Sequence, residues 1–118
     1  MAFNVEESQR KWRETWKSQP PTGDPGNYIL WENATVRVWH LEVAPGESSP
    51  LHTHMNPYLF VVIESATMRT MFSDGSTSDA TDAAGAVVWV GLDDATRTHT
   101  VNNIDGHRYV NRVIELLT

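Results

Sequence analysis

The chain contains no cysteine. That excludes disulfides, zinc–thiolate sites, iron–sulfur clusters and thiol nucleophiles, so any metal must sit on nitrogen and oxygen ligands. Positive charge is also scarce: nine lysines and arginines face fifteen aspartates and glutamates, a formal net charge of −6. A surface of that sign argues against nucleic acid and anionic membranes as partners. No stretch approaches the roughly 18 apolar residues of a membrane span. The first twenty residues are rich in charge and hold no apolar run, so no signal peptide is read and a cytoplasmic location is the expectation. Internal repeats and low-complexity tracts are absent as well.

What is present suits one domain. The chain has 118 residues, 40% of them hydrophobic, enough for a packed core without staples. Asn4 to about Ser18 reads as a short helix, with Asn4 as cap, Glu7 three residues on, and Val5, Trp12 and Trp16 on one stripe. The run Pro20-Pro21-Thr22-Gly23-Asp24-Pro25-Gly26-Asn27 ends it and serves as a connector. Residues 1–27 are therefore expected to be a helix and linker, and 28–118 a β domain.

From Tyr28 the pattern is β. Thr35–Val43 places Val36, Val38 and His40 on one face and Arg37, Trp39, Leu41 and Val43 on the other. Pro45-Gly46 turns the chain, and His52–Glu64 is a strand region interrupted by Pro57. Ala66–Phe72, Ala86–Val90, Thr98–Asn103 and Arg108–Leu117 are further strands. Ser73-Asp74-Gly75-Ser76 is a hairpin signal, and Asp105-Gly106 turns into the last strand. Short strands separated by turns, with no helix between them, predict an all-β sandwich or barrel. Five tryptophans is a high count for this length; core and interface packing accounts for all five.

The chemistry-bearing stretch is Gly46-Glu47-Ser48-Ser49-Pro50-Leu51-His52-Thr53-His54, answered downstream by His99-Thr100-Val101-Asn102-Asn103. Histidines one residue apart on a strand share a face. His99 from another strand would complete a cluster of three imidazoles able to hold a divalent transition metal with coordination positions left open. The competing reading for His52 and His54 is two polar strand residues bonded to neighbours. His40 suits a structural role, His107 an exposed one, and Glu64 a solvated position at a hairpin. Asp93 and Asp94 read as a solvated loop before His99.

These residues resemble the cupin family. Gly46, five residues, His52-Thr53-His54, three residues, position 58, and six more to position 65 are similar to the first cupin motif. Gly85, five residues, Gly91, then His99, three residues and Asn103 resemble the second. The likeness covers about residues 28 to 118 and implies a cupin-type jelly-roll β-barrel, a small single-domain cupin, with metal ligation through His52, His54 and His99. The departures are specific. The glutamate ligand of the first motif falls on Tyr58, its closing glycine on Ser65, and the proline of the second on Gly91. The gap between Gly91 and His99 holds seven residues where the usual motif holds four. Three histidines without a carboxylate look like the iron sites of thiol and β-diketone dioxygenases. A looser likeness, with an aromatic residue after His-x-His, is to small cupins linked to β-alanine degradation genes.

Tyr58 is the candidate catalytic residue. It can donate a hydrogen bond to a substrate, bind metal as phenolate, or pack in the barrel; its ordinary pKa near 10 disfavours phenolate. Three functions follow. The first is a metal-dependent enzyme on a small organic molecule, a dioxygenase-type oxidoreductase with Fe(II) favoured. Zn, Mn or Ni would instead serve isomerase, lyase or hydrolytic chemistry. The second is a non-catalytic small-molecule-binding module. The third is a structural role in a homodimer, which is compatible with either.

Overall fold

The computed structural model describes residues 24–49, 51–91 and 98–117. The expected helix over 4–18, with Trp12 and Trp16, lies outside them, as do Pro50, Asp93 and Asp94. The described residues form nine strands and no helix: β1 (Tyr28–Glu32), β2 (Val36–Val43), β3 (His52–Thr53), β4 (Tyr58–Glu64), β5 (Thr67–Phe72), β6 (Thr77–Thr81), β7 (Val87–Val90), β8 (Thr98–Asn103) and β9 (Tyr109–Leu116). They pair into a five-stranded sheet, β1-β2-β9-β4-β7, and a four-stranded sheet, β3-β8-β5-β6. Every pairing is antiparallel.

Strand parity sets the inner faces. On β2, Trp39, Leu41 and Val43 are buried while His40 lies on the opposite face, because side chains alternate across a strand. His40 stacks on Tyr28 with ring centroids 4.9 Å apart, and Arg112 donates to its Nδ1 at 2.6 Å. It is a satisfied structural histidine outside the barrel. On β9 the inner residues are Tyr109, Asn111, Val113 and Glu115. Two apolar clusters fill the interior. Trp39, Tyr58 and Val113 form one; Leu41, Val43, Val62, Ala66, Met68 and Tyr109 form the other, and Phe60 touches both.

Pro57 does more than interrupt a strand. The chain crosses from the smaller sheet to the larger one between Thr53 and Tyr58, so β3 and β4 belong to different layers. Proline has no N–H for a ladder and suits such a crossing. At the β5–β6 hairpin, Gly75 takes φ +89°, a left-handed conformation costly for other residues. Asp74 braces the turn by accepting from the Ser76 backbone N–H at 2.9 Å. The Thr77–Thr81 strand carries no apolar alternation and is exposed throughout; β6 was invisible to a hydrophobic pattern, and the turn alone announced it.

Trp39 is core, at 5% exposure, but Trp31 and Trp89 are 57% and 59% exposed. Core packing for those two is overturned. Trp89 has the outward parity of β7, whose Val88 and Val90 face the cavity. Trp31 lies on β1, an edge strand exposed at every residue and kinked where the register slips between Ile29 and Trp31.

Gly26 explains how the segment before β1 sits down. A Cβ there would lie 2.8 Å from the Trp39 Cβ and 2.9 Å from the His40 carbonyl oxygen. Only glycine permits that approach. It allows Asn27 to donate its backbone N–H to the His40 carbonyl at 2.8 Å and to accept, through Oδ1, from the Glu42 N–H at 2.7 Å.

Candidate metal centre

His52 on β3 stands directly opposite His99 on β8. Facing residues of an antiparallel pair bring their Cβ atoms to about 5 Å, and here the two Nε2 atoms come within 3.0 Å. His54, two residues on and of the same parity, closes the group. Ring centroids lie 4.5 Å apart for His52–His54, 4.5 Å for His52–His99 and 4.9 Å for His54–His99. One nitrogen from each ring falls within 4.8 Å of the others, and all three side chains are buried. The seven-residue gap before His99 does not disturb this, because its register is fixed by pairing with β3 and β5 rather than by distance from Gly91.

The electrostatics suit ligation. Burial, aided by the two neighbouring imidazoles, presses the His54 pKa down to about 2. A neutral imidazole has a lone pair to give, and three imidazoles converging in a buried space offer the donor set of a transition-metal site. The residues present fit a metal held by three nitrogens and no carboxylate. No carboxylate joins the three histidines among the described residues.

Tyr58 stands beside the triad. It is buried, and its ring stacks on His54 with centroids 4.0 Å apart and planes 18° from parallel. The position that holds a carboxylate in the first cupin motif thus supports the His54 ring by a stacked face. Asn103 does not reach the triad. Its amide donates to the Val43 and His107 carbonyls at 2.9 and 2.7 Å and accepts from the Asp105 N–H at 2.8 Å, pinning the β8–β9 turn. His107 is exposed, and Glu64 pairs with Arg108 at the surface.

Behind the histidines opens a cavity of about 600 Å³ between the two sheets. Its walls are largely apolar, with Leu41, Phe60, Met68, Val101 and Val113 among them, and its polar groups besides the triad are Tyr58, Thr70, Ser78, Asp82, Tyr109 and Asn111. The volume lies in the range of small-molecule sites.

Two inward polar residues on β9 escaped the sequence reading. Glu115 is 4% exposed; it accepts from Trp39 Nε1 at 3.1 Å and from Asn56 Nδ2 at 3.0 Å. Asn111 is equally buried and donates to the Tyr109 hydroxyl at 2.9 Å. Parity places Tyr109, Asn111, Val113 and Glu115 on one face, but only the register with β2 and β4 shows that face to be the inner one.

Comparison with known proteins agrees with this architecture. No protein-family profile matches the chain, and no curated protein matches it in sequence. Solved structures do. A cupin domain from Bordetella pertussis is similar at a TM-score of 0.67 and 19% identity, over 83% of this chain and 96% of that one. An RmlC-like cupin with a double-stranded β-helix fold from Methanocaldococcus jannaschii matches at 0.58 and 15%, over 80% and 93%. The polyketide cyclase RemF from Streptomyces resistomycificus matches at 0.58 and 18%, over 85% and 71%. Identities this low speak to fold alone. With two antiparallel sheets, the histidines of both motif regions meeting in one cluster, and these neighbours, the chain has the cupin fold, a small double-stranded β-helix domain.

Proposed function

We propose that this domain is a metal-dependent enzyme acting on a small organic molecule, with His52, His54 and His99 holding the metal. The observation that carries the reading is the convergence of three buried imidazoles on the cavity. Fe(II) is the favoured ion because a three-histidine set resembles that of cupin dioxygenases; Zn, Mn and Ni suit the same donors. When bound, such a metal supplies Lewis acidity and, as iron, redox chemistry to a molecule beside it.

The chain's own residues would do the rest. Tyr58, stacked on His54 and facing the cavity, orients the substrate. The apolar walls exclude water and strengthen polar contacts inside. Six inward polar side chains besides the triad support catalysis over passive binding. One fold neighbour is a polyketide cyclase, an instance of chemistry hosted on this barrel, although fold does not dictate function.

The second reading, a small-molecule-binding module, is favoured by the absence of a carboxylate from the histidine cluster. Elemental analysis of tag-free protein beside His52→Ala tests the first reading. One equivalent of iron lost in the variant, with substrate-dependent oxygen uptake, supports the oxygenase. Zinc, manganese or nickel at that level redirects the search to non-redox chemistry. No metal after reconstitution leaves the binding module.

A further inference from the structure

The cavity has a second polar pole far from the histidines. Tyr58 marks the triad's level and pairs with Glu115; Val62, four residues along β4, pairs with Asn111. At the rise of a strand that separates the two levels by about 13 Å. At the far level Asn111, Tyr109 and Asp82 line the same space as the histidines. Between them the wall is apolar, with Phe60, Leu41, Val101 and Val113.

Asn111 is not satisfied there. Its Nδ2 donates to the Tyr109 hydroxyl, but its Oδ1 is buried and meets no hydrogen-bond partner. A buried amide oxygen left unpaired costs about 1–3 kcal/mol, and such groups are rare in folded proteins. Turning the amide would give the Tyr109 contact to Oδ1 and strand Nδ2 instead, so one amide atom is left over either way. Tyr109 adds a phenol kept in its protonated form, since burial raises its pKa to about 12, and Asp82 adds a carboxylate. A hydroxyl group, both donor and acceptor, answers this set.

We propose that Asn111 is a specificity-determining residue and that the ligand of this cavity is two-ended. It has a metal-chelating head at the triad, an apolar and preferably aromatic body along Phe60 and Val113, and a hydroxyl received by Asn111 with Tyr109 and Asp82. The head rests on the metal reading above; the tail rests on the Asn111 pole and needs no metal.

Three probes test it by calorimetry on the zinc-loaded protein: biphenyl-4-carbohydroxamic acid and its 4′-hydroxy and 4′-methoxy derivatives. The 4′-hydroxy probe is expected to bind about tenfold tighter than the other two, the worth of one well-made hydrogen bond. Asn111→Leu is expected to abolish that preference while leaving the unsubstituted probe within about threefold of its wild-type affinity. Equal affinities for the three probes in the wild-type protein, failure of all three to bind, or a hydroxyl preference that survives in Asn111→Leu would each overturn the proposal. The wild-type series decides the matter even if the variant does not fold. Repeating it on metal-stripped protein separates the two ends: affinities that do not fall there, with the hydroxyl preference intact, sink the metal-bound head and leave the Asn111 pole standing.

Discussion

His52 and His99 face each other across the β3–β8 ladder with their Nε2 atoms 3.0 Å apart. Two short-range facts produce this contact: the parity of His52 and the register of β8. Removing either imidazole breaks the three-nitrogen set. His52→Ala and His99→Ala are each expected to lose bound metal entirely, read as metal equivalents after dialysis. The barrel should survive, with circular dichroism unchanged. A variant that kept full metal content would remove that residue from the site.

Tyr58 separates ring from hydroxyl. Tyr58→Phe keeps the stack on His54 and should retain the full metal content, with stability changed by less than about 1 kcal/mol. Affinity or turnover for any substrate it orients should fall about tenfold. Tyr58→Ala removes a buried ring from the cluster with Trp39 and Val113, and should cost about 3–5 kcal/mol in urea unfolding. Loss of metal in the Phe variant would show the phenol oxygen to be a ligand.

Glu115 holds the triad end of the barrel together. Its carboxylate takes one hydrogen bond from Trp39 on β2 and one from Asn56 in the crossing before β4. Glu115→Ala would leave two donors facing a hole, and a destabilisation of about 2–4 kcal/mol is expected. Glu115→Gln still offers an oxygen to one donor and should cost less than the alanine. Equal losses in the two variants would mean that the negative charge, which also faces Arg37 at 3.6 Å, and not side-chain volume, is what Glu115 contributes.

The triad was legible because its signal is local. His52-Thr53-His54 needs only strand parity to share a face; His99 came from the resemblance to the second motif despite its longer gap, and the register of β8 is what places it. The strand break at Pro57 was legible for the same reason. Asn111 and Glu115 were not singled out, since polar residues on the last strand look like its solvent face until the register with β2 and β4 shows which side is inward. Trp31 and Trp89 are the converse case: of the core and interface packing expected of the tryptophans, their exposure removes the core and leaves the interface. Aromatic content marks a strand, whereas burial depends on whether the strand is an edge and which face a second sheet covers.

Tyr109 makes stability depend on alkaline pH. Its folded pKa, raised to about 12 by burial, lies above the unfolded value of 10.0. Between those values the native state holds a proton the unfolded chain has released, so stability falls as pH rises. The contribution is fully present below pH 10 and is lost on passing through 12, on the order of 3 kcal/mol for a two-unit shift. Urea unfolding from pH 9 to 12 should show a steeper decline for the wild-type protein than for Tyr109→Phe. Parallel curves would mean that the phenol is not desolvated.

The edge strand β1 makes the last prediction. Tyr28, Ile29, Leu30 and Trp31 are consecutive, and 54%, 43%, 44% and 57% exposed. Among the described residues no strand pairs with the outer edge of β1, and apolar edges of this kind are normally covered; a second copy of the chain is the partner we propose, giving a homodimer. Sedimentation of the wild-type protein at micromolar concentration should give a dimer, and Trp31→Glu a monomer with unchanged metal content, because a buried unpaired carboxylate opposes the interface while His52 and His99 lie in the other sheet. A wild-type monomer would mean that the edge is not a self-association surface. A Trp31→Glu dimer would place the interface elsewhere.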